Sequence, residues 1–312
     1  MPIIHKNDVV LERPVIIVIY GTPGSGKTSV ATTAKDVLLI DTDRGYDRAV
    51  QRVDTLAVSD WNEIITSVPQ MASYKTIIVD TAKACLDDYL SDYVIRANYK
   101  LGTNTIKRFG EMAEQFKRFV NDLRKAGSDI IFICHDKEIS EGDIIKHAPD
   151  CIGQSKDLLL RIADQVGYIS VINKKRTISF EPTDRVVGKN VAQIQPTIIP
   201  NASSVEFSTF MDNIIHKVKE SIQSKSEAQR KANEMIERLR AELDMVDSEE
   251  TAVALLQECK DLPQVMKVPF FKEIAGTLTS RGFIYDKENS KFVLSSTKKE
   301  GDNDGDSKSS DK

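Results

Sequence analysis

Residues 21 to 28 read Gly21-Thr22-Pro23-Gly24-Ser25-Gly26-Lys27-Thr28, an order of residue types that can hold a polyphosphate. Glycines let successive backbone N–H groups turn toward one anion, and the start of the following helix adds its dipole. In such a loop Lys27 reaches the terminal phosphates and the Thr28 hydroxyl ligates Mg2+. The loop follows an apolar run, Val15–Tyr20, and precedes a helical one, Ser29–Lys35, the setting the GxxxxGK[ST] (Walker A) pattern requires. A second apolar run, Thr76–Val79, closes on Asp80, the carboxylate expected to share the magnesium shell with Thr28.

Hydrolysis also needs a group that takes a proton from water. Many ATPases place a Glu directly after the metal carboxylate, but here Thr81 follows Asp80. The run Val37–Ile40 ends instead in Asp41-Thr42-Asp43, two carboxylates where ligands bind in an open parallel sheet. His135 follows the apolar run Asp129–Cys134 and is placed to bond to the γ-phosphate or sense its loss, while nothing at ligand spacing suits it to zinc. Lys174-Lys175-Arg176, with Lys156 and Lys189, form a candidate stripe of phosphate contacts.

Short Val- and Ile-rich runs without alternation, separated by helical patterns, position these groups. They predict an α/β fold with a mostly parallel sheet buried on both faces. The strands are expected at Val15–Tyr20, Val37–Ile40, Thr76–Val79, Asp129–Cys134 and Val166–Ile172, the last turning into an edge hairpin at Thr177–Phe180. A helical stretch, Ala82–Ala126, breaks near Gly102, and Glu138–Lys156 is expected as a loop at the ligand edge. Pro196 and Pro200 mark a boundary, giving a nucleotide-binding domain over 1–200. Residues 201–296 form a charged connecting helix (Phe207–Leu243) and a small helical unit with a hairpin near Asp286–Asn289, and 297–312 form a disordered tail.

With 40% hydrophobic and 29% charged residues, the 312-residue chain can bury a core. No apolar run reaches membrane-spanning length and the first residues lack a signal-peptide pattern, which predicts a cytoplasmic protein, in the host cytoplasm if viral. Cys85, Cys134, Cys151 and Cys259 have no metal or disulfide spacing. A net charge of −4 leaves any nucleic-acid contact to a local basic patch.

Together, the loop at 21–28, the terminus Asp41-Thr42-Asp43-Arg44-Gly45, Asp80 and His135 resemble RecA-core ATPases of phages, similar to the single-strand annealing proteins of the Sak-four type. The resemblance spans roughly residues 14–200 and implies a RecA-like P-loop core that uses ATP and Mg2+ on single-stranded DNA, in strand annealing or exchange. It puts Asp43 in the place of the carboxylate base that activates water, one methylene shorter than the usual Glu and so implying slow turnover. It puts His135 where a γ-phosphate-sensing Gln stands, and Lys189 as a contact to a neighbouring subunit's nucleotide. A homo-oligomer and a single-strand-binding protein are its implied partners. Without an evident N-terminal polymerisation domain, long filaments are not expected. Two other readings stay open: a P-loop kinase of small molecules, and a non-catalytic nucleotide switch recruiting a replication protein through Thr251–Phe292.

Overall fold

The computed structural model describes residues 5, 8, 12–97, 105–151 and 153–295. The break near Gly102, the tail at 297–312 and most of the N-terminal stretch lie outside them. The described residues divide into two compact units, Leu11–Lys225 and Ser226 onward.

In the first unit the glycine-rich loop joins β1 (Ile16–Gly21) to α1 (Lys27–Ala31). Then come β2 (Val37–Asp41), β3 (Asp54–Ala57), the short helices α2 (Trp61–Thr66) and α3 (Val68–Met71), and β4 (Thr76–Asp80). A π-helical turn, Ala84–Leu90, leads into α4 (Ser91–Ala97), followed by α5 (Thr105–Ala126). β5 (Asp129–Glu141) and β6 (Ile144–Pro149) form a hairpin, and α6 (Gly153–Ile162) leads to β7 (Gln165–Ile172) and β8 (Lys175–Ser179). Two-residue strands β9 (Lys189–Asn190) and β10 (Thr197–Ile198) precede the long helix α7 (Phe210–Asp244).

The sheet order is β10-β8-β7-β1-β5-β4-β2-β3. All strands from β7 to β3 run parallel, and β8 turns back antiparallel on β7 at the edge. This is the mostly parallel α/β core expected. β5 lies between the strand that carries the glycine loop and the strand that ends in Asp80. The pleat sorts side chains onto two faces. Ile16, Val18 and Tyr20 pack with Trp61, Phe116 and Phe119 under α2 and α5. Val15, Ile17 and Ile19 pack with Val30 of α1 and with Met211, Ile214 and Val218 of α7. Residues 201–225, which the proline boundary assigns beyond the core, therefore close one face of the sheet. Lys219 fixes this start of α7 through Asp129 at 2.9 Å and Glu12 at 3.0 Å.

β5 departs from expectation. It continues past His135 for six residues and pairs antiparallel with β6, so Asp136–Pro149 is an ordered hairpin, not a loop. Gly142, at φ 66°, makes the two-residue turn that joins the strands. The polar residues after His135 look loop-like along the chain, but across the hairpin Asp136 accepts a hydrogen bond from His147 Nδ1 at 2.7 Å, with the His147 ring stacked on Tyr168. β3 was not anticipated, because its four residues are too short and too exposed to show a pattern.

In the second unit the end of α7 packs with α8 (Glu249–Glu258), α9 (Gln264–Ser280) and the hairpin β11 (Phe283–Asp286) and β12 (Lys291–Leu294). Leu239, Leu243, Phe270, Ile274 and Phe292 form its core. The helical unit and closing hairpin match the expected pattern.

Candidate nucleotide site

The C-terminal ends of β1, β2, β4 and the middle of β5 line a cavity of about 390 Å³ with Pro23, Gly24, Lys27, Thr28, Asp41, Asp43, Asp80, His135 and Arg176 on its walls. Strand register brings the groups together: Asp41 pairs with Asp80, and Gly21 with His135.

Within the loop, Gly24 and Gly26 take φ of 77° and 87°, which aims consecutive backbone N–H groups inward as an anion-binding concavity requires. Lys27 is buried and its Nζ donates to the carbonyls of Gly21 and Thr22, each at 3.0 Å. Burial pulls its ammonium below the usual lysine range, and Asp80 opposes that shift. A buried ammonium held only by carbonyls of its own loop is suited to a stronger anionic partner. Ser25 Oγ, buried in the same loop, has no hydrogen-bond partner.

Thr28 Oγ1 donates to Asp80 Oδ2 at 2.6 Å. Burial raises the Asp80 carboxyl, the Thr28 bond and Lys27 hold it down, and Asp41 and Asp43 add to the rise. A hydroxyl and a carboxylate converging at a phosphate-sized cavity are hard oxygen donors that fit Mg2+. Among the described residues no group of three His, Cys, Asp or Glu side chains could hold a metal alone. An ion held by one or two protein oxygens completes its shell with substrate phosphates and water. When bound there, Mg2+ offsets negative charge on the phosphate oxygens.

The two carboxylates of β2 separate in role. Asp41 is buried, and its oxygens accept from the backbone N–H groups of Asp43, Gly45 and Tyr46, each at 3.1 Å. It shapes the turn that presents Asp43. Asp43 is half exposed in the cavity, with Oδ2 3.7 Å from His135 Nε2. Nδ1 of His135 is buried and without a partner. Asp43 presents its carboxylate to the cavity, and His135 stands beside it, inside β5 and not at a strand end.

The basic stripe expected from Lys156, Lys174, Lys175, Arg176 and Lys189 divides. Lys174 and Lys175 are exposed at the β7–β8 turn, and Lys156 lies half-buried on α6. Arg176 instead lines the nucleotide cavity, so close to the loop that a Cβ added at Gly26 would run into its Nη1. No carboxylate among the described residues pairs with it. Its guanidinium lies 6.0 Å from the centre of the Phe207 ring. The signal was present as alternation: Arg176, Ile178 and Phe180 share one strand face, and the last two are buried on the α1 side of the sheet. Lys189, expected to contact a neighbouring subunit's nucleotide, turns onto its own chain. Its Nζ donates to the carbonyls of Ala163 at 2.5 Å and Leu160 at 3.4 Å, capping the C-terminus of α6.

A strand, a glycine loop with an inward lysine, and a hydroxyl–carboxylate pair across the adjoining strand ends define a P-loop nucleotide-binding domain. Residues 13–191, more than half of the chain, match the family described as an AAA domain, AAA_24, and the chain belongs to that family. No curated protein matches it. Among solved structures it is similar to the RadB recombinase at 17% identity, with a TM-score of 0.35, over 56% of this chain and 84% of that one. No helix among the described residues is long and apolar enough to cross a membrane.

Proposed function

We propose that the protein hydrolyses ATP with Mg2+ and acts on single-stranded DNA in recombination or replication, as the resemblance to phage annealing ATPases implies. The observation that carries the nucleotide part is the 2.6 Å pairing of Thr28 with Asp80 beside Lys27. In this reading Lys27 and Arg176 hold the phosphates from two sides of the loop, and Asp43 takes the proton from attacking water. His135 reports the γ-phosphate and stands beside Asp43. The single-stranded DNA part is supported by the β7–β8 turn, where exposed Lys174 and Lys175 stand one and two residues from Arg176 in the cavity. One short strand would thus join a phosphate-binding surface to the nucleotide.

The test is the ATPase rate with and without single-stranded DNA, with Lys27→Ala as control. Stimulation by DNA in the parent and its loss in the control support the reading. Tight ATP binding without turnover under either condition leaves a nucleotide switch, and turnover that requires a small-molecule acceptor leaves a kinase.

A further inference from the structure

The second compact unit carries a cavity that the nucleotide chemistry does not use. It has a volume of about 540 Å³ and opens beside α9, with Leu256, Cys259, Val268, Phe271 and Tyr285 as its apolar lining. Lys260, Lys267 and Lys272 also line it, and no carboxylate does. Among acids close in sequence, Glu258 and Glu242 pair with Arg238 and Asp286 is held by Asn289, while Asp261 and Glu288 are outside the lining. Lys260 reaches only the neutral Gln257, and neither Lys267 nor Lys272 has a carboxylate partner among the described residues. In a chain of net charge −4, three lysines without carboxylate partners give this one apolar cavity a cationic lining.

The apolar surface also runs beyond the cavity. Val265 is 87% exposed and Val268 54%, and with Phe271 they recur every three residues along α9, so they fall on one helix face. A compact small molecule would fill the cavity and leave this stripe uncovered, whereas an extended or helical peptide covers both. Tyr285 and Phe271 pack on each other edge to face at 5.3 Å, and both rings lie against Phe292. They are wedged as cavity walls, not offered as open platforms for stacked bases.

We infer that the α9 cavity is a docking site for a partner protein's acidic peptide carrying an aromatic or large aliphatic side chain. The side chain enters between Phe271, Tyr285 and Leu256, and flanking carboxylates meet Lys260, Lys267 and Lys272. Charge steers and orients such a peptide, while the buried side chain holds it. The chain's own residues 297–312 contain acids but no aliphatic or aromatic side chain, so they lack the anchor.

The test uses the full-length protein and a fluorescein-labelled peptide with aspartates flanking one Leu and one Phe, read by anisotropy at low salt. Saturable binding is expected, weakened about tenfold by the double variant Lys267→Glu/Lys272→Glu, with basal ATPase activity unchanged. Replacing the peptide's Phe by Ser, or its Asp by Asn, should each cost a similar factor. Absence of saturable binding overturns the inference, as does binding indifferent to either peptide change. It is also overturned if a labelled single-stranded oligonucleotide binds in the peptide's place and loses affinity in the double variant. Because both replaced lysines lie outside the nucleotide cavity, failure here leaves the ATPase reading untouched.

Discussion

His135 Nε2 lies 3.7 Å from Asp43 Oδ2, although their strands, β5 and β2, are separated by β4. The gap is too long for a direct hydrogen bond and falls within ion-pair range should the imidazole be charged. It makes the acid and the imidazole a pair facing the same cavity, and their roles can be told apart. Asp43→Asn should keep ATP affinity while lowering turnover by about 100-fold or more, since a proton acceptor matters only during the reaction. His135→Gln, which keeps a hydrogen-bonding side chain, should lose less than His135→Ala. Single-turnover kinetics beside nucleotide titration check this, and normal turnover in Asp43→Asn would remove Asp43 from the mechanism.

Lys27→Ala removes the buried ammonium at the loop. ATP affinity or turnover should fall by about 100-fold or more, and the melting temperature of the nucleotide-free protein should hold. A folded Lys27→Ala protein that both binds and hydrolyses ATP at the parent's level contradicts the site.

Asp80 links the site to stability. Burial holds its carboxyl above the ordinary value of 3.8, so through the window between that value and the raised one the folded chain binds more protons than the unfolded chain. Stability contributed by this group is therefore present below pH 3.8 and lost as pH rises through the raised value. At neutral pH the charged carboxylate is a cost carried for the metal, as functional sites commonly carry. Asp80→Asn should raise the melting temperature of the nucleotide-free protein by a few degrees. The further rise that ATP and Mg2+ give the parent should be lost in the variant. Thermal melts with and without ATP and Mg2+ measure both, and a lower melting temperature in the nucleotide-free variant goes against this account.

Arg176 and its neighbours at the turn separate two charge effects. Arg176→Ala should weaken ATP binding about tenfold, because a charge-assisted contact near the phosphates is lost. Lys174→Glu with Lys175→Glu should weaken single-stranded DNA binding across sequences, flatten its salt dependence and leave ATP affinity intact. Anisotropy titrations over a salt series distinguish the pair, and a DNA defect alone in Arg176→Ala would return that residue to the basic stripe.

Lys189→Ala tests a helix cap against a contact between subunits. Removing the cation from the C-terminus of α6 should cost about 1 kcal/mol of stability and leave ATP turnover per folded molecule unchanged. Loss of turnover without loss of stability would restore the subunit contact.

These residues also mark what was legible along the chain. The loop at 21–28 and Asp80 were, because each residue type is demanded by local geometry within a few positions. The Asp41–Asp43 pair was legible as a place but not as a division of labour, which depends on three backbone N–H groups folding over Asp41. The directions of Arg176 and Lys189 were not legible for one reason: a charge in sequence carries no direction until its strand has a register. The hairpin β5–β6 was missed because its stabilising pair, Asp136 with His147, is a contact across the turn between residues that look like solvated loop.

The length of β5 has a mechanical consequence. One end of the strand is wedged between β1 and β4, and the other projects as half of a hairpin whose tip exposes Ile144 and Ile145. His135 sits where the clamped part gives way to the projecting part. From there to Glu141 is six residues, about 20 Å of extended backbone. A ladder of hydrogen bonds resists shortening far better than a loop does, so the hairpin is a stiff arm, braced near its root where the His147 backbone bonds to Tyr20, Arg185 and Val187.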